Sequence, residues 1–152
     1  MIKFIKLILI ITCMTLIFCF SSDNAELSTK KSDGVIIKTC EFILRRNLTE
    51  DEKEKYIEKL VFVVRKGAHF SIYFILGLLI MSYLKEIYMI NNKGLLLAFI
   101  ICFLYACSDE IHQLFVPGRS GRFSDVLIDS MGSLMGTHLY YFISTIRRRL
   151  HE

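Results

Sequence analysis

The sequence predicts an all-α membrane protein: a bundle of four transmembrane helices with short amphipathic helices in the first outer loop. Three observations predict it. The 152 residues are 53% hydrophobic with a single proline, and mean hydropathy is +0.46, values high for a soluble chain and ordinary for a small membrane bundle. Apolar runs recur at residues 2–20, 67–84, 94–114 and 126–146, each near the ~20 residues that one crossing needs. Charge then gathers at the run boundaries, above all from Asp109 to Arg119 and at Asp125 and Asp129. Such residues cost about 2.5–3.5 kcal/mol each at a bilayer centre, so a cluster of them beside membrane spans marks a functional site.

The first run is interrupted only by Lys3 and Lys6. Basic residues before an apolar stretch also describe a signal peptide, but this run is long enough to cross, and no A-x-A-like site follows it. Leu16-Ile17-Phe18-Cys19 has the outline of a lipoprotein processing site, yet bulky Phe18 stands where a small residue is wanted. A retained span is expected. The polar segment that follows holds two amphipathic stretches within residues 32–64. Ile36, Ile37, Cys40, Ile43 and Leu44 share one face of the first. In the second, Thr49-x-x-Glu52 reads as a capping box, and Tyr56, Ile57, Leu60, Val61 and Val64 recur at helical spacing. Both read as short helices on the membrane surface or over the bundle end.

The second span is followed by a short polar loop, residues 85–93, with the turn signal Asn91-Asn92. The third ends near Gln113 or Leu114, before the chain breaks at Pro117-Gly118. Arg147-Arg148-Arg149 stop the fourth. Residues 1–152 therefore make one domain. Short basic segments (Lys3, Lys6, Lys85, Lys93, Arg147 to Arg149) place both termini in the cytoplasm, although the first loop carries ten Lys/Arg beside nine Asp/Glu. The expected localisation is the cell membrane, multi-pass, with the Asp109–Asp125 cluster outside. A net charge of +4 without aromatic interleaving argues against nucleic acid as a partner. Four of the five cysteines lie in apolar runs, and no CxxC pair occurs, so they read as small hydrophobes.

Lys66, His69 and Tyr73 share a helix face at the outer end of the second span. Asp109, Glu110 and Gln113 stand at the outer end of the third. Asp125 and Asp129 begin the fourth, with Gly132 and Gly136 below them. Gly132-x-x-x-Gly136 is a close-packing face that suits intramolecular packing or homo-oligomer formation equally. Arg119 and Arg122 read either as solvated loop charges or as partners of the aspartates. In one functional version, Arg119, Lys66 and His69 bind an anionic headgroup, Arg119 with a bidentate fork, while the carboxylates orient them. In another, the hard oxygens hold a divalent metal with His69 or His112 as nitrogen ligand. No zinc spacing such as HExxH is present, so no metal and no cofactor is the expectation. The absence of a Gly-x-Ser-x-Gly elbow or a Walker loop argues against a soluble-type hydrolase or nucleotide enzyme.

Several blocks together resemble the VanZ-like family of multi-pass membrane proteins. They are Lys66-x-x-His69-Phe70-x-x-Tyr73-x-x-Leu76-Gly77, then Asp109-Glu110-x-x-Gln113-x-Phe115-x-Pro117-Gly118-Arg119, then Asp125, Asp129, Gly132 and Gly136. Phe20-Ser21-Ser22 resembles the family's first-span exit. Asp23 stands where glutamine is usual and Asp129 where asparagine is common. The resemblance implies a four-helix membrane bundle. The family's namesake is associated with lowered susceptibility to teicoplanin, a lipid-bearing glycopeptide, without remaking the peptidoglycan precursor. The resulting expectation is a cell-envelope protein that binds a lipid-linked cell-wall component or lipoglycopeptide among membrane lipids, and a binder more than an enzyme. The alternative is an intramembrane enzyme acting on a phospho- or glycolipid, with Asp109, Glu110 and His69 as catalytic candidates. A third reading is a structural partner of another envelope protein, using residues 32–64.

Overall fold

The computed structural model describes residues 1–87 and 91–150. Among them the chain forms five helices: α1 (Ile2–Ser22), α2 (Ala25–Leu44), α3 (Glu50–Glu86), α4 (Asn92–Gln113) and α5 (Phe123–Arg149). Residues 88–90, in the middle of the polar loop predicted at 85–93, lie outside the described residues. Three helices, α1, α3 and α4, are long and apolar enough to cross a membrane. The fifth is 27 residues long but falls short in hydropathy. The cause is a stripe of small and polar residues, Ser130, Gly132, Ser133, Gly136 and Thr137, all buried.

The burial pattern is inverted relative to a soluble protein. Phe4, Ile8, Phe18, Leu104 and Phe142 are exposed, while Asp109, Glu110, Gln113 and Asp129 are buried. Water would not tolerate so continuous an apolar exterior, whereas hydrocarbon does. Inside, Ile10, Cys13, Ile17, Tyr73, Leu76, Ile80, Met81, Leu84, Ala98, Cys102, Ala106 and Val126 form one apolar cluster. All five cysteines are free, in keeping with their reading as hydrophobes.

The seam between α3 and α5 is the most extensive contact in the bundle. A Cβ at Gly132 would strike the Phe70 carbonyl oxygen, one at Gly136 the Phe74 oxygen, and one at Gly77 the Ser133 oxygen. The two glycines of the Gly-x-x-x-Gly pair are thus occupied within the chain by α3. Opposite ends of the bundle are fixed by polar links. At one end Lys6 Nζ sits 2.5 Å from Glu86 Oε1 and 3.1 Å from the Ser82 oxygen. At the other, α1, α4 and the loop after α4 meet through Ser21, Gln113 and Arg119.

The predicted pair of short loop helices is corrected in two respects. α2 starts earlier than the amphipathic pattern suggests, because Asn24 caps it by accepting from the Leu27 N–H at 2.8 Å. The second stretch is no separate element: it is the first half of α3, which runs unbroken for 37 residues. Nothing between Val64 and Gly67 interrupts the backbone ladder, and one internal glycine costs only about 1 kcal/mol. At about 1.5 Å per residue, α3 is far longer than the ~30 Å apolar thickness of a bilayer. α2 folds back on it as a hairpin. Arg45 ends α2 in the left-handed region at φ 53°, Glu41 accepts from the Leu48 N–H at 3.1 Å, and the Arg46 guanidinium grips Glu52 at 2.6 and 2.8 Å.

The capping box is present in full, with Thr49 Oγ accepting from the Glu52 N–H and Glu52 accepting from the Thr49 N–H. The Arg46 hydrogen bond, with the Thr49 amide behind it, lowers the Glu52 carboxyl from 4.5 to about 2. The folded value lies below the unfolded one. The stabilisation is therefore complete above about pH 4.5 and is lost as pH falls through about 2. Thr49→Ala is expected to cost about 1 kcal/mol. Protection of the α3 first-turn amides, measured by hydrogen–deuterium exchange relative to the intrinsic exchange rate at each pH, should fall in this variant and, in wild type, on acidification across the same window.

Candidate functional site

Helical spacing carries Lys66, His69 and Tyr73 down one face of α3, against the first turns of α5. Lys66 forms an ion pair with Asp125. One turn deeper, His69 Nδ1 lies 3.5 Å from Asp129 Oδ1. Asp129 is 0% exposed, and neither of its oxygens has a hydrogen-bond partner among the described residues. Asp109 of α4 joins this level: one ligand-capable atom each from His69, Asp109 and Asp129 lie within 4.8 Å of one another. Tyr73, deeper still, is fully buried with an unpartnered hydroxyl.

Gln113 is the hub on α4. Its Nε2 donates to Ser21 Oγ at 3.0 Å, to Glu110 Oε1 at 3.1 Å and, at 3.3 Å, to Asp109 Oδ2. Glu110 is engaged on its other oxygen as well, accepting the Arg122 backbone N–H at 2.8 Å. It thereby ties the loop after α4 to the helix that precedes it. Gly121 passes so close to the Glu110 carbonyl that a Cβ there would overlap it, and Gly118 turns the chain at φ 74°. This loop is held by the start of α2 too, where the Ala25 N–H donates to the Pro117 oxygen at 3.3 Å.

Arg119 takes partners that no spacing rule identifies. Its Nε donates to the Asp23 carbonyl and its Nη2 to the Phe20 carbonyl, both at 3.0 Å, while Nη1 reaches Gln113 Oε1 at 3.4 Å. Backbone carbonyls therefore orient this guanidinium, in place of the aspartates expected to do so. Burial, and then the neighbouring Arg65, pull its pKa below the usual range, but arginine stays charged. With no carboxylate among the described residues paired to it, Arg119 keeps its positive charge for a ligand.

Two adjacent cavities open here. The first, about 320 Å³, is lined by Lys66, His69, Gln113, Arg119, Arg122 and Asp125 among others. The second, also about 320 Å³, lies between α1, α2 and α3, with Ile17, Phe20, Val35, Val64 and Ile72 in its apolar wall. Arg65, His69 and Arg119 line both. A basic, polar chamber thus shares a wall with an apolar groove.

His112 does not join the cluster: its Nε2 is 3.1 Å from Ser22 Oγ, and its ring stacks on Phe18. The sequence reading missed Ser21, Arg65 and Gly121 as contributors. Only Ser21 carried a signal, as part of the Phe20-Ser21-Ser22 block. Asp23 enters through its carbonyl, its side chain pairing with Lys31 at 2.5 Å. α1 therefore reaches the site through one hydroxyl and two backbone oxygens. A family model described as VanZ/LLP1 matches residues 5–144, nearly the whole chain. No curated protein and no solved structure matches it.

Proposed function

Since this chain belongs to the VanZ/LLP1 family, we propose that it binds an amphiphile with an anionic headgroup at the outer membrane face. The ligand is a lipid-linked cell-wall component or a lipoglycopeptide. α1, α3, α4 and α5 are the four spans of this reading, with both termini cytoplasmic. The observation that carries it is the shared wall of the two cavities. Lys66, Arg119 and Arg122 face the first and supply charge-assisted donors for phosphate or carboxylate. The second is mostly apolar and suits an acyl or prenyl chain. Asp125 holds Lys66 in place, and the carbonyls of Phe20 and Asp23 hold Arg119, so the cations are pre-oriented before a ligand arrives.

Drug susceptibility of a sensitive Gram-positive host tests the consequence for the cell. With membrane levels matched, wild type should lower susceptibility to teicoplanin and not to vancomycin, and Arg119→Ala should abolish the effect. Equal protection by Arg119→Ala, or none by wild type, would remove lipoglycopeptides from the reading. The enzyme reading has one observation in its favour, the pair of Asp129 with the chamber-lining His69, beside Asp109. It requires a phospho- or glycolipid to be consumed by the purified chain and spared by His69→Ala. The binding reading requires the lipid to be recovered intact. Glu110 is the weakest of the three catalytic candidates, because both its oxygens already hold structural donors.

A further inference from the structure

We infer that His69, Asp109 and Asp129 form a binding site for one Zn²⁺ ion. Asp109 and Asp129 are 4% and 0% exposed, and Glu110 beside them is 5% exposed. Three carboxylates buried at one level are costly unless paired or bound to a metal. Neither nearby cation pairs with these carboxylates: Lys66 pairs with Asp125, and Arg119 donates to two carbonyls and to Gln113. Among the described residues, the half-buried His69 is the basic group paired with the Asp129 carboxylate.

Asp129 carries the argument further than the cluster alone. Both its oxygens are buried without a hydrogen-bond partner, a deficit that protonation does not repair, since a neutral carboxyl would still need an acceptor and a donor. Glu110 and Gln113 solve the same problem with hydrogen bonds; Asp129 does not. An ion between Asp129, His69 and Asp109 satisfies it directly, drawing in three ligand atoms that already lie within 4.8 Å of one another. One imidazole nitrogen with two carboxylates suits Zn²⁺ better than Mg²⁺ or Ca²⁺, which favour all-oxygen shells. Three protein ligands leave a fourth position open, as in zinc sites that hold a water or substrate. Of the three ligands, His69 lines the polar chamber. The ligands come from three separate helices, which is why the sequence, with no zinc spacing, pointed to no metal.

The test uses the full chain in detergent micelles, stripped with a chelator, dialysed against Zn²⁺ and analysed for bound metal. Wild type should take up about one Zn²⁺ per chain, uncompeted by excess Mg²⁺. Asp129→Asn keeps shape, and His69→Gln changes a side chain at the cavity wall. Each should weaken Zn²⁺ binding by about 100-fold or more, since loss of even an outer-shell partner costs 10- to 100-fold. Glu58→Gln, at an exposed position of α3 away from the cluster, should retain one ion per chain. Helical content checked by circular dichroism separates ligand loss from unfolding, and should Asp129→Asn not accumulate, His69→Gln alone decides. No stoichiometric Zn²⁺ in wild type, or unchanged affinity in the variants, overturns the site. No lipid enters the experiment, so its outcome is independent of the binding function proposed above.

Discussion

Arg119→Ala will weaken binding of an anionic amphiphile by about 10- to 100-fold, the equivalent of losing one charge-assisted hydrogen-bond partner. Two effects add. The substitution removes the cation that no carboxylate neutralises, and it frees the carbonyls of Phe20 and Asp23, so the exit of α1 loses its tie to the loop after α4. Arg119→Lys will not restore binding. An ammonium cannot present the fork that meets the Phe20, Asp23 and Gln113 oxygens together. Titration of both variants with a polyprenyl diphosphate in nanodiscs checks the expectation. Wild-type affinity in Arg119→Lys would show that charge alone, without the anchored geometry, serves the site.

The largest structural effect belongs to the α3–α5 seam. Gly136→Val will destabilise the bundle by about 3 kcal/mol or more, the upper range for overpacking. The obstacle is backbone: a Cβ at this position meets the Phe74 carbonyl and the Leu78 amide nitrogen, neither of which can rotate away. Helix association in a membrane depends on this close approach, because lipid provides no hydrophobic drive between helices. Separating α3 from α5 would also pull His69 from Asp129 and Lys66 from Asp125, so binding should fall with stability. Gly67→Ala is the contrast. Its Cβ would enter open space, and the gain in helix propensity is up to about 1 kcal/mol. Unfolding in denaturing detergent, followed by circular dichroism, should move the midpoint in opposite directions for the two variants.

Much of this was legible in the chain. Thr49 and Glu52 announced a helix start, and the structure contains their box in full. The run from Asp109 to Arg119 declared itself by charge beside apolar residues, and its carboxylates are indeed buried there. Helical spacing was enough to set Lys66 and His69 on one face, and Asp125 and Asp129 on another. What spacing could not supply was the pairing between faces, which depends on how closely α5 approaches α3. Nor could it supply the partners of Arg119, since backbone oxygens of α1 have no residue-type signature. The continuity of α3 was hidden for a related reason. The change from amphipathic to apolar pattern near Gly67 reads as a boundary, while the backbone hydrogen bonds continue through it. α5 stands apart because Ser130, Ser133 and Thr137, which lower its hydropathy, are the residues that fit it against its neighbours.

The most direct test of the central claim compares two ligands that differ only in the headgroup. A polyprenyl diphosphate and the corresponding uncharged polyprenol would be titrated onto the purified chain in nanodiscs, with Arg119→Ala alongside. Saturable binding of the diphosphate, none of the alcohol and loss in Arg119→Ala is the predicted result. Equal binding of both ligands, or of the diphosphate by both proteins, would contradict an anionic-headgroup site at this end of the bundle.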